Sequence, residues 1–214
     1  MNSYHESAHR QGQKPVATIC GLSIREYCEK AEQFHGGHLA PGMVIAGFMV
    51  ELARRNIPEG TLFEVICETA SCIPDAVQIL TPCTIGNQWM KIIDVGRYAM
   101  TFYDKYTGEG VRVNLDAEKM KDYPAIAEWH LKLKPKREQD TEALISAILE
   151  AGEDILAACR IQVTPEFLGK RQKTVGICPV CKESFRSSEG TICPACKNSV
   201  LPYVSAPAKA ESGR

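Results

Sequence analysis

Two Cys-Pro-x-Cys elements, CPVC at 178–181 and CPAC at 193–196, stand eleven residues apart near the end of a 214-residue chain. No other feature restricts the fold as tightly. Each C-x-x-C sets two sulfurs on one tight knuckle, and the connection KESFRSSEGTI is long enough to bring both knuckles around one tetrahedral ion. Four thiolates, from Cys178, Cys181, Cys193 and Cys196, fill the shell of a zinc ion and leave no position for water. The expected ion is therefore structural, supporting folding rather than catalysis. Its binding free energy is on the order of 10 kcal/mol, enough to hold a module with few apolar residues. A rubredoxin-type iron centre and a redox dithiol are the competing readings.

The other six of the ten cysteines fall into two classes. Cys20, Cys28, Cys67 and Cys159 lie in apolar or helical contexts and read as buried packing residues. Cys72 and Cys83 flank one short segment. So many cysteines without a secretory leader argue for thiolate ligands and buried thiols rather than disulfides. The opening MNSYHESAHRQGQKP is polar, and the longest apolar run, Met43 to Val50, falls well short of the roughly 20 residues that span a bilayer. The expectation is a cytoplasmic protein with no membrane partner. A formal net charge of -1 gives no global attraction to nucleic acid. Locally, Glu166 to Lys197 carries six Lys or Arg against three Glu, and a zinc tetrathiolate contributes two negative charges. The small surplus left over makes nucleic acid an unlikely partner.

Along the chain, residues 1–17 read as an arm. LSIREYCEKAEQF (22–34) is a helix with Ser23 and Glu26 at capping-box spacing. PGMVIAGFMVELARRN (41–56) is a helix with Pro41 at its first position, where the missing N–H costs least. LFEVICETA (62–70) reads as a buried strand and IPDAVQILT (73–81) as a short helix; QWMKIIDVG, YAMTFYDK and VRVNL read as further strands. Helices followed by consecutive strands favour an α+β fold with helices packed on a largely antiparallel sheet. The expected core spans 18–135. A charged linker and an amphipathic helix over 141–159 fill 136–172, the finger occupies 173–204, and a disordered tail follows over 205–214.

FHGGHLAPGM at 34–43 adds a second constellation. Its glycines permit a tight turn between His35 and His38. Cys72 sits where a strand hands over to a helix, near the positive end of the helix dipole, which favours thiolate. If the short helix folds back over the sheet, Cys72 and Cys83 approach each other and face the histidine turn. On the residues alone, a mixed His/Cys metal site and a set of buried thiols beside polar histidines both remain open.

FHGGHLAPG, ASCIPDAVQILTPCTIGN, AMTFYDKYTGEGVRV and the terminal CPVC/CPAC resemble, in this order, the FmdE family of formylmethanofuran dehydrogenase proteins. The likeness covers about residues 22–200. It implies an α+β core followed by a zinc finger, in a homodimer. The family takes its name from an operon shared with a molybdenum or tungsten enzyme that reduces CO2 to formylmethanofuran, although relatives occur in organisms that make no methane. Its pattern is close to F-H-G-H-x-C-P-G, with further cysteines in the segments of Cys72 and Cys83. This chain departs twice: a second glycine separates the histidines, and Ala40 stands where the pattern has cysteine. The resemblance implies a core site built from His35, His38, Cys72 and Cys83, holding zinc or another transition metal. Asp75, Gln78 and Thr84 are candidate orienting groups. The expected function is a metal-binding accessory protein linked to molybdenum- or tungsten-dependent one-carbon or formate metabolism, with such an oxidoreductase as partner. A metal-dependent enzyme acting at the core site and a nucleic-acid-binding regulator are the rival classes.

Overall fold

The computed structural model describes residues 18–168 and 174–198. The arm and tail expected at the two ends lie outside the described residues. The chain divides into two compact units between Leu168 and Gly169. The first carries two short strands, β1 (Thr18–Ile19) and β2 (Leu22–Ser23), then α1 (Ile24–Phe34), α2 (Pro41–Arg55), β3 (Phe63–Cys67), α3 (Ile73–Leu80), β4 (Met90–Ile92), β5 (Ala99–Asp104) and β6 (Glu109–Leu115). It ends with α4 (Pro124–His130), α5 (Thr141–Ala151), β7 (Leu156–Gln162) and α6 (Pro165–Leu168). In the second are β8 (Val175–Ile177), β9 (Ser184–Arg186) and α7 (Pro194–Asn198).

Local chemistry explains where the helices begin. Ser23 accepts from the Glu26 backbone while the Glu26 carboxylate accepts from the Ser23 N–H, so α1 starts with a complete capping box. Proline opens α2 and also lies in the first turn of α3. Helix α2 is apolar almost all round and is buried without a break from Gly42 to Val50. A helix of that composition has to be enclosed. It packs against α1, α3 and α5 and against β5, β6 and β7 of the main sheet.

The sheet has order β4-β3-β5-β6-β7, antiparallel except for the β3–β4 pair. Strand alternation sends Val65, Cys67, Met100, Phe102, Val111, Val113 and Leu156 into the core. Glu64, Tyr103, Glu68 and Arg112 share the opposite face. There Arg112 grips Glu68 with both arms, Nε to Oε1 at 2.6 Å and Nη2 to Oε2 at 2.9 Å. Lys91, Tyr103 and Glu64 close a second polar cluster. Among the described residues, no helix is long and apolar enough to cross a membrane.

Two expectations need adjusting. The segment read as one helix over 141–159 is a helix and a strand: α5 stops at Gly152, whose φ of 53° suits glycine. The chain then extends into β7, so Cys159 is exposed on a strand rather than packed inside a helix. The core unit also runs past 135 to Leu168, because α5 packs on α2 and β7 supplies the fifth strand. Of the other cysteines expected to be buried, Cys67 is fully so, while Cys20 and Cys28 are half-buried against the core.

Gly47 marks the closest approach in the helical layer. A Cβ there would lie 2.4 Å from Cε1 and 2.7 Å from Cζ of Tyr27, a fully buried ring whose hydroxyl donates to Met43 O. Alanine in a helix normally gains about 1 kcal/mol over glycine, whereas overpacking a tight core costs about 1–3 kcal/mol. Gly47→Ala is therefore expected to lower the urea midpoint at unchanged m-value, by about 1–2 kcal/mol of stability; a raised midpoint would show that Tyr27 moves aside at no cost.

The hydrogen bond and charge of Arg112 hold the Glu68 carboxyl below its usual range. A depressed folded value means that this stabilisation is complete above the ordinary carboxylate range and disappears as pH falls through the folded value. Glu68→Gln should lose about 2 kcal/mol at neutral pH and show a flatter acid limb in a stability-against-pH series. Wild type and variant falling in parallel through that limb would contradict the assignment.

Candidate functional site

The terminal unit folds around its sulfurs. β8 and β9 form a hairpin, Val175 pairing with Arg186 and Ile177 with Ser184, and the first knuckle lies in the turn between them. The second knuckle lies at the start of α7, where Cys196 N donates to Cys193 Sγ at 3.4 Å. All four sulfurs lie within 4.8 Å of one another, and Cys181 Sγ is 3.8 Å from Cys193 Sγ. A zinc–sulfur bond of about 2.3 Å implies a tetrahedron with edges of about 3.8 Å, so the donor set fits zinc. Backbone N–H groups of Cys193 and Cys181 pull the Cys178 thiol down to about 6, whereas hydrogen bonding to Cys193 pushes Cys196 up to about 12. Crowded thiols of this kind lose their protons together only when a cation is present.

Among its described residues Cys178 and Cys193 are the buried ones, whereas Val175, Ile177, Val180 and Ile192 are exposed. Ligands thus take the place of a core in the described part of this unit.

The histidine turn is built differently. Gly36 and Gly37 have φ of 80° and 85°, which explains the doubled glycine between the histidines. The His35 and His38 rings meet edge-on with centroids 5.1 Å apart. Asp75, in the first turn of α3, bonds to His35 Nδ1 at 3.1 Å. That partner favours a proton on Nδ1 and leaves Nε2 free as a ligand.

Cys72 is the N-cap of α3, with φ of 55°. Its Sγ and the Tyr98 hydroxyl would each lie 2.8 Å from a Cβ placed on Gly42, the second residue of α2. Glycine there lets the thiol and the phenol reach the helix start, and Tyr98 OH donates to Gly42 O at 2.6 Å. The dipole argument for a thiolate at Cys72 does not carry through: burial first, and then the Asp75 carboxylate, push this thiol above its ordinary value. Any ion bound here would have to displace the thiol proton.

Cys83 lies elsewhere. Helix α3 has eight residues, about 12 Å of rise, between Cys72 before it and Thr81 after it. Cys83 Sγ donates to Phe63 O, and burial lifts its thiol to about 11. Gln78 and Thr84 belong to that far end too: Gln78 Oε1 accepts from Ile85 N, and Thr84 exchanges hydrogen bonds with Asn87. Among the described residues, the four terminal cysteines alone form a ready-made cluster of three or more metal donors. The core residues gather around Asp75 and Gly42 without closing into such a set.

Two neighbours escaped the sequence reading. His130, at the end of α4, meets the Tyr98 ring edge-on with centroids 5.8 Å apart, and burial followed by the Lys132 charge lowers its pKa. Tyr98 links it to Cys72; burial lifts that phenol well above its ordinary value. At the other end of α2, a groove of about 710 Å3 is lined by Cys20, Glu51, Arg54, Arg55, Phe63 and Phe102, apart from the histidine turn.

The sequence matches the family model described as FmdE, molybdenum formylmethanofuran dehydrogenase operon, over residues 34–162. Residues 169–204 match the FmdE treble clef zinc finger. A crystal structure of a tungsten formylmethanofuran dehydrogenase FmdE-like protein from Syntrophus aciditrophicus is similar at a TM-score of 0.78 and 46% identity, covering 87% of this chain and 98% of that one. A probable S-adenosyl-L-methionine-binding protein from Archaeoglobus fulgidus is 30% identical over 102 residues. That match takes in 44% of this chain, which spans only 28% of the relative's length.

Removing zinc with a strong chelator should unfold the terminal unit while the core keeps its cooperative melt. Cys178→Ala should do the same without chelator. Amide hydrogen exchange followed by peptide distinguishes the units: fast exchange is expected over 174–198 and unchanged protection over β3, β5 and β6. Protection retained over 174–198 after metal removal would contradict a metal-dependent fold.

Proposed function

The chain belongs to the FmdE family, a core domain joined to a zinc finger, and from that premise we propose a homodimeric, cytoplasmic accessory protein that holds a second, exchangeable metal ion in its core. The partner in this reading is a molybdenum or tungsten oxidoreductase of one-carbon or formate metabolism. What supports that link is the family description and the tungsten-system name of the Syntrophus aciditrophicus protein.

The observation that carries the core site is the Asp75 bond to His35 Nδ1. A carboxylate fixing one imidazole nitrogen while the other stays free is the usual support for a histidine ligand. His35 Nε2, His38 and the Cys72 sulfur are the proposed ligands, a mixed N/S set that suits zinc or another borderline-soft transition metal. Three protein ligands leave a coordination position open, and a bound ion would supply Lewis acidity there. This chain's own groups do the rest. Asp75 orients His35, Gly42 gives the thiol room, and Tyr98 anchors the start of α2. With Ala40 in the place of a cysteine, one soft ligand of the family pattern is missing, which favours an ion that exchanges. Cys83, a helix length away, is outside the proposed shell.

Metal content per chain tests the reading. About two ions are expected in wild type, about one in Cys72→Ala and in His35→Ala, and about two in Cys83→Ala. About one ion in freshly purified wild type, lost with Cys178→Ala, would remove the core site. An Asp75→Asn variant should bind the core ion 10–100-fold more weakly while keeping the terminal zinc.

A further inference from the structure

Strand β7 ends the sheet on one side, and among the described residues no strand pairs with its outer edge. Its seven residues match β6 one for one, from Leu156 opposite Leu115 to Gln162 opposite Glu109, so no bulge twists the edge away. LAACRIQ holds no proline or lysine and a single charge, Arg160, and Ala158, Cys159 and Arg160 are all exposed. Proteins that stay monomeric usually blunt such an edge with one of these devices.

Hydrogen bonding shows which groups point outward. Asp116 N donates to Ile155 O and Val163 N donates to Gly108 O, which fixes the bonded pairs of the β6–β7 ladder. Ala157, Cys159 and Ile161 therefore turn their N–H and C=O groups toward β6, and the even-numbered residues turn theirs away. Leu156 is already satisfied, its N–H by Glu153 O and its carbonyl by Lys119 Nζ. The outward N–H and C=O groups of Ala158, Arg160 and Gln162 have no partner among the described residues.

We infer that β7 pairs antiparallel with β7 of a second copy, about a two-fold axis at Cys159, joining two five-stranded sheets into one. This rests on the homodimer reading and adds its interface. A second copy supplies a strand that matches this edge in length and spacing, and a two-fold contact closes without growing into a fibre. Charge and side-chain size together favour one register. An axis at Arg160 would set two guanidinium groups directly opposite, which is unfavourable. An axis at Cys159 places each Arg160 opposite Ala158 of the other copy, and these two pairs exchange four backbone hydrogen bonds. Small side chains at Ala157, Ala158 and Cys159 let the two strands approach.

Facing Cys159 residues would then form a non-hydrogen-bonded pair with Cα atoms about 4.5 Å apart, inside the range a disulfide can bridge. The test uses the zinc-loaded full chain. Light scattering gives the mass, and diamide, which oxidises two thiols to a disulfide, is followed on a non-reducing gel. The expected result is a dimer that becomes cross-linked, with cross-linking falling at least tenfold in Cys159→Ser. Ala158→Pro deletes only an outward N–H, so it should weaken dimerisation at least tenfold while leaving the far-UV spectrum intact. A dimer that does not cross-link through Cys159 and ignores Ala158→Pro overturns the interface and leaves the dimer standing. Cross-linking by Cys159→Ser/Arg160→Cys in place of wild type overturns the register. A monomer at micromolar concentration overturns the homodimer reading itself.

Discussion

Helix α2 has no face it can show to water, and the rest of the core unit is arranged to keep water from it. Three helices and three strands of the main sheet close around it, and polar groups gather at its two ends. At the N-terminal end are the glycine turn, Cys72 and Tyr98; at the C-terminal end, Arg54 and Arg55 line a groove. Gly42 and Gly47 are the points where that enclosure is tightest. A side chain at either would push α1, or the start of α3, away from the layer that sets the histidines in place.

The two units solve the problem of size in opposite ways. The core buries a contiguous set of large apolar side chains. Among its described residues, the terminal unit buries two of its own ligands and no large apolar side chain. There the ion takes the part that a hydrophobic core plays elsewhere. The same element, sulfur, thus serves as scaffold in one unit and as packing in the other.

Much of this was legible in the chain because the signals were local. The Ser23–Glu26 box, Pro41 at a helix start and the alternation of β5 and β6 act within a few residues, and the structure follows them. The four-cysteine spacing was equally direct. The core constellation was harder, because spacing along the chain does not say which side of an element a residue leaves from. Cys72 and Cys83 look close in sequence, yet an eight-residue helix holds them apart. His130 carried no periodic or motif signal; only the packing of α4 brings it to Tyr98. The run from 141 to 159 misleads for a different reason: alanine and leucine suit both states, and one glycine with positive φ decides where helix gives way to strand.

Burial lifts the thiols of Cys20 and Cys83 to about 11 and that of Cys67 to about 12. Nucleophilic sulfur is thiolate sulfur, and at neutral pH these three side chains supply almost none. These three buried sites of the core unit are consequently quiet toward peroxides and electrophiles. Alkylating agents would find their first targets at the rim, leaving the packing that encloses the long central helix chemically untouched.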